Sequence, residues 1–189
     1  MRTTLIAFVQ LTASFIYDAG SPVRAGEANV CEREMSLAAK RYGVPLAVLY
    51  AVGLAETGRW GSLQPLALNV DGPSFFAASL SEALRLFDEA QKRGARLIDV
   101  GCMQINHYFH GRHFRSVAAM FHPHENVDYA ARFLRELRTR EGSWTLAAAR
   151  YHAGPDNDPA QKRYVCLVMA NMVASGFGAW TANARAFCQ

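Results

Sequence analysis

The sequence predicts a mainly α domain with a small β-hairpin insertion, and three observations carry that prediction. Apolar residues recur at helical spacing along most of the chain. Turn-forming residues concentrate between Ser62 and Phe76, where Pro65, Asn69, Asp71-Gly72 and Pro73 interrupt any helix. Finally, 189 residues with 51% hydrophobic and 19% charged content describe one ordinary domain able to bury a core. There is no internal repeat and no low-complexity segment.

From Cys31 to Tyr42 the positions Met35, Leu37, Ala38, Ala39 and Tyr42 mark a first helix stopped by Gly43. Pro45 suits the first turn of a second, whose Leu46, Val48, Leu49, Val52, Leu54 and Ala55 cover most of its circumference. This helix is expected to be central and to end near Thr57-Gly58. Leu66–Val70 and Ser74–Phe76 read as a hairpin turning at Asp71-Gly72. Ser79 and Glu82 form a capping box for a helix through about Gln91, closed by Gly94, and Arg96–Val100 reads as a strand returning to the hairpin. Met103–Phe109 reads as a short helix and Pro123–Arg140 as a long amphipathic one, with Val127, Ala130, Ala131, Phe133, Leu134 and Leu137 inward. Trp144–Tyr151 is a further helix, stopped by Gly154-Pro155. The last long one is capped by Asp158-Pro159 and runs to about Ser175.

The first 25 residues have the layout of a secretory signal peptide. Arg2 precedes an apolar run from Leu5 to Ile16, and Val23-Arg-Ala25 offers small residues for cleavage after Ala25, with Ala28 as second choice. The alternative, an uncleaved anchor, is disfavoured by the shortness of the run and by Gln10, Thr12 and Ser14 within it. The mature domain is then residues 26–189, with 18 basic and 15 acidic residues, a net +3. No Lys/Arg run suggests a nucleic-acid partner, and no later segment is long and apolar enough to span a bilayer. Four cysteines in the mature chain fit an oxidising compartment. Three pairings are possible. The favoured one joins Cys31 to Cys102, with Cys166 and Cys188 clasping the C-terminal tail; four buried free thiols are the alternative.

Glu56 raises the chemical question. It ends an almost wholly apolar helix, where desolvation and the negative helix terminus both disfavour a carboxylate. A carboxylic acid held neutral is what protonation of a glycosidic oxygen requires. An ion pair with Arg59 is the simpler alternative. Two other stretches add candidate ligands: Gly101-Cys-Met-Gln-Ile-Asn106, with a glycine for close backbone approach and amides suited to sugar hydroxyls, and Ala149-Arg-Tyr-His-Ala-Gly154, which brings Tyr151 to a helix break.

In order, Glu56-Thr57, Gly101-Cys-Met-Gln-Ile-Asn106 and Arg150-Tyr-His-Ala-Gly154 resemble the E-S, G-L-M-Q-I-N and A-Y-N-A-G motifs of SLT-type lytic transglycosylases. The resemblance covers about residues 31–165, including Phe121–Leu134. It implies a goose-lysozyme-like helical fold and cleavage of the β-1,4 bond between N-acetylmuramic acid and N-acetylglucosamine, with closure of a 1,6-anhydro ring. It implies Glu56 as sole acid and base, Tyr151 bonded to that glutamate, Gln104 in the groove, Met103 as an apolar floor and, more loosely, Asn69 as a groove asparagine. Asn106 and, by position, Tyr108 join as substrate contacts. Thr57 stands where the family has serine, His152 where it has asparagine, and Cys102 where it has leucine. His152 adds a titratable group near Glu56. By analogy, small single-domain members open the wall for secretion, conjugation or flagellar machines, which places this chain in the periplasm or outside the cell.

A lysozyme-type hydrolase would need a second carboxylate to activate water, and Asp71 and Asp99 are the candidates. A peptidoglycan-binding scaffold without turnover is a further alternative. No cofactor is expected. The six histidines, among them His110-x-x-His113 and His122-x-His124, lack H-E-x-x-H or finger spacing and read as surface or groove-rim residues, so no metal is expected either.

Overall fold

The computed structural model describes residues 29–59, 61–154 and 156–189, and the expected signal segment at residues 1–25 lies outside them. Helix α1 (Val30–Tyr42) starts at Asn29, whose side chain accepts from the Cys31 amide, and ends at left-handed Gly43. Helix α2 (Leu46–Thr57) follows Pro45 and buries Val48, Leu49, Ala51, Val52 and Gly53. It is apolar on every side because other helices surround it: α1, α7 (Trp144–His152) and α8 (Asp158–Ala174) all pack on it. At Gly53 a Cβ would collide with the Met35 methyl, so the missing side chain admits Met35 and Met103 to the centre of the core.

The insertion is a four-stranded antiparallel sheet in the order β2-β1-β3-β4, formed by β1 (Ala67–Val70), β2 (Ser74–Phe76), β3 (Ile98–Val100) and β4 (Ile105–Asn106). Its register decides which residues reach the site. Leu68 pairs with Val100 and Val100 with Ile105, and all three are buried against the core. The adjacent row, Ser74–Asn69–Asp99–Asn106, therefore projects from the opposite face as one polar line across all four strands. Between β2 and β3, α3 (Leu80–Lys92) carries the expected cap: the Ser79 hydroxyl accepts from the Glu82 amide, and Glu82 reaches back to the Ala78 amide.

Two expectations need correction, and three short elements are additional. The Met103–Phe109 segment is a turn, then β4, then the single-turn α4 (His107–His110), because Gln104 adopts φ +44 and cannot continue a helix. The cap of α8 is Asn157, whose side chain accepts from the Ala160 amide, one residue before Asp158. A 3₁₀ turn (Gly111–His113), α5 (Val117–Phe121) and α9 (Ala182–Cys188) were not anticipated; all are short, and periodicity needs more residues to register. The long α6 (Pro123–Glu141) runs as expected and buries Val127, Ala130, Ala131, Leu134 and Leu137. Both favoured disulfides are present: Cys31–Cys102 ties α1 to the turn before β4, and Cys166–Cys188 clasps α9 to α8. No described helix is long and apolar enough to cross a membrane.

Candidate active site

Glu56 lies in the last turn of α2 and points into a cleft of about 560 Å³ between the helices and the polar row of the sheet. Its side chain is 15% exposed. Tyr164 of α8 donates to Glu56 Oε1 at 2.6 Å, while His152 Nδ1 stands 3.9 Å from the same oxygen. The His152 ring stacks on Tyr164, centroids 4.2 Å apart and planes 5° from parallel. Burial, with Glu56 alongside, pushes the Tyr164 phenol far above its ordinary range, so the hydroxyl is a donor throughout the working pH range. Arg59, the ion-pair partner weighed for Glu56, has its guanidinium over the Phe76 ring at 4.7 Å.

The turn between β3 and β4 is built from beneath. Asn126 of α6 is fully buried; its Oδ1 accepts from the Met103 amide at 2.8 Å, and its Nδ2 donates to Val100 O at 2.9 Å and Met120 O at 2.7 Å. Gly101, at φ +79, is needed for this approach, since a Cβ there would lie 2.5 Å from Asn126 Nδ2. The close contact that requires glycine is thus with Asn126, inside the protein. The buried Thr57 hydroxyl bridges Gly53 O and Cys102 O at 3.2 and 3.1 Å, so Thr57 fastens the end of α2 to that turn and its hydroxyl is engaged by backbone carbonyls.

Several expected substrate contacts change role. Met103 is wholly buried in the core and is no floor for a sugar. Tyr151 lines the cleft but donates to Met103 O at 2.8 Å, and Tyr164, missed by sequence reading, takes the bond to Glu56 assigned to it. Two tyrosines thirteen residues apart reach one site because the chain reverses between α7 and α8; a Tyr on the inner face of the last long helix was the available signal. Tyr108 is 57% exposed and pairs with Arg96, its hydroxyl accepting at 3.0 Å, while its neighbour Phe109 lines the cleft instead. Gln104 lines the cleft, its amide nitrogen held by Ala67 O and Gly101 O at 3.2 and 3.1 Å. Asn69 also lines it, with its amide folded into the hairpin turn on Gly72.

The two candidate second carboxylates separate clearly. Asp71 sits in the hairpin turn at φ +49 and accepts from the Leu97 amide at 3.1 Å, which is structural work away from the cleft lining. Asp99 lines the cleft beside Glu56 and accepts from Asn106 Nδ2 at 2.7 Å. Burial raises its pKa from the ordinary value near 3.8 to about 6, the Asn106 bond opposes the rise, and the Glu56 charge adds to it. Asn106 is held in turn because its Oδ1 accepts from the Phe109 amide at the start of α4. Among the described residues no group of three or more His, Cys, Asp or Glu side chains could hold a metal. His110 Nδ1 lies 2.7 Å from the Tyr129 hydroxyl, and His124 Nδ1 3.0 Å from Glu34.

The cleft thus offers one sequestered carboxyl group held by a phenol, a second carboxyl on the facing strand, and amides between them. Compared with known families, residues 35–166 match the family model of the transglycosylase SLT domain. No curated protein and no solved structure matches the chain.

Proposed function

Because the chain belongs to the transglycosylase SLT domain family, a family of lytic transglycosylases acting on peptidoglycan, we propose that Glu56 alone carries proton transfer in this glycan-cleaving lyase. Glu56 gives its proton to the oxygen between N-acetylmuramic acid and N-acetylglucosamine, the C1–O bond breaks, and the glucosamine leaves with a free 4-hydroxyl. The resulting carboxylate then takes the proton of the muramoyl C6 hydroxyl as O6 bonds to C1. A 1,6-anhydro end forms, Glu56 is again protonated and no water is consumed. The observation that carries this reading is the Tyr164 bond. It occupies Oε1, stabilises the charge that forms on proton donation, and leaves Oε2, which has no intramolecular donor among the described residues, for the sugar. Chain export through the residue 1–25 signal peptide to the periplasm or beyond belongs to the same proposal.

Asp99 supports a second reading. A second carboxyl group lining the same cleft, near enough for the Glu56 charge to act on it, is the residue type by which a water is activated for direct hydrolysis. Digestion of purified peptidoglycan followed by mass spectrometry decides between them. Anhydro-muropeptides lost in Glu56→Gln support the lyase; reducing muramic ends lost in Asp99→Asn select the hydrolase.

A further inference from the structure

Next to the cleft lies a second chamber of about 260 Å³, and Phe109, His110 and Phe133 line both. The chemistry changes across that boundary. The cleft around Glu56 holds two carboxyl groups, whereas the chamber is lined by Arg112 and His113 from the 3₁₀ turn and Arg132 from α6, with Glu136 as its one carboxylate. Arg132 Nε already stands 3.5 Å from Asp128, whose carboxylate also binds Arg41 and accepts from Tyr42 at 2.7 Å. Arg112 has no such partner: its Nε faces His113 Nε2 at 3.5 Å, and among the described residues no carboxylate pairs with it. Aromatic rings run along both spaces, with Phe133 5.8 Å from Tyr151 of the cleft and 5.0 Å from His110.

A glycan backbone of N-acetylated sugars is uncharged, so guanidinium groups at the end of a sugar groove find no counter-charge in it. The carboxylates of the polymer are on its substituents. We propose that this chamber receives a carboxylate of the peptide stem carried by the muramoyl lactyl group, with Arg112 as its principal partner. Arg112 supplies the planar donor fork that matches a carboxylate, and Glu136 keeps the chamber from attracting a second one. The proposal rests on the reading of the cleft as a glycan site and adds that stem-bearing strands are preferred to bare ones.

The test is binding, so that it stands apart from turnover. In the Glu56→Gln background, calorimetry at low ionic strength compares a tetrasaccharide carrying its stem peptides with the same tetrasaccharide stripped of them and with its lactyl carboxyls converted to primary amides. The stem-bearing ligand is expected to bind about tenfold more tightly, equivalent to ~1.4 kcal/mol. Arg112→Glu abolishes that preference and leaves the bare ligand unaffected, Arg112→Lys retains part of it, and added salt erodes it. Equal binding of the two ligands, an equal loss for both in Arg112→Glu, or undiminished binding of a stem with amidated carboxyls would overturn it. Wild-type protein that cuts no peptidoglycan would sink the catalytic reading while leaving this comparison intact.

Discussion

Replacing Asp99 by asparagine separates the energetic and chemical consequences of a carboxyl group that the fold holds partly away from water. Its pKa stands at about 6 against an ordinary 3.8. The native state therefore binds this proton more tightly than the unfolded chain, and ionising the group as pH rises from about 4 to above 6 destabilises the fold. The full shift of about two units corresponds to ~3 kcal/mol as an upper limit, and access of solvent from the cleft reduces it to ~1–2 kcal/mol. Asparagine preserves the shape and can still accept from Asn106, so Asp99→Asn should match wild-type stability near pH 4 and exceed it by ~1–2 kcal/mol at pH 7 and above. Urea unfolding of both proteins between pH 4 and 8 measures the difference directly. A constant difference across that range, or a variant less stable at pH 7, would refute the reasoning. In Glu56→Gln, where one neighbouring charge is gone, the same titration should move to lower pH.

Tyr164→Phe removes the 2.6 Å bond to Glu56, and kcat on peptidoglycan should fall about ten- to a hundredfold with little loss of stability; Tyr151→Phe, which loses only its bond to Met103 O, should fall less. Asn126→Ala strands the Met103 amide and two carbonyls in the core, which should cost ~3 kcal/mol or more and lower the melting temperature by roughly ten degrees, read by calorimetry. The exported protein should begin at Gly26 by intact mass and show no free thiol when denatured without reductant; a mass retaining residues 1–25 would contradict export by cleavage.

Periodicity reached the long elements because burial of one face dictates their pattern. Helices α1, α2, α6 and α7 and the β1–β2 hairpin follow the residues that mark them, and α3 follows its cap. Glu56 stood out for a related reason, as a charge at the end of a segment with no polar face. What sequence could not convey was direction. Tyr151 and Tyr164 are both tyrosines on helices, and only the packing of α8 on α2 decides which hydroxyl meets Glu56. Met103 belongs to a motif whose neighbours line the cleft, yet the left-handed turn at Gln104 sends it inward. Asp71 and Asp99 were equivalent on paper; strand register put Asp99 on the polar row and left Asp71 in the turn. Asn126 is not legible in the sequence because a lone asparagine on an amphipathic helix has no signature until its three bonds exist.

In the proposed lyase reaction one glutamate performs both proton transfers and the sugar supplies its own nucleophile. Digestion of peptidoglycan in water enriched with ¹⁸O, with mass spectrometry of the released fragments, tests it most directly. The lyase reaction yields 1,6-anhydromuramoyl ends with no incorporated label, and neither product forms with Glu56→Gln. Reducing muramic ends formed in place of anhydro ends, and labelled faster than solvent exchange of a free reducing sugar, would show that water, not the C6 hydroxyl, attacks the anomeric carbon.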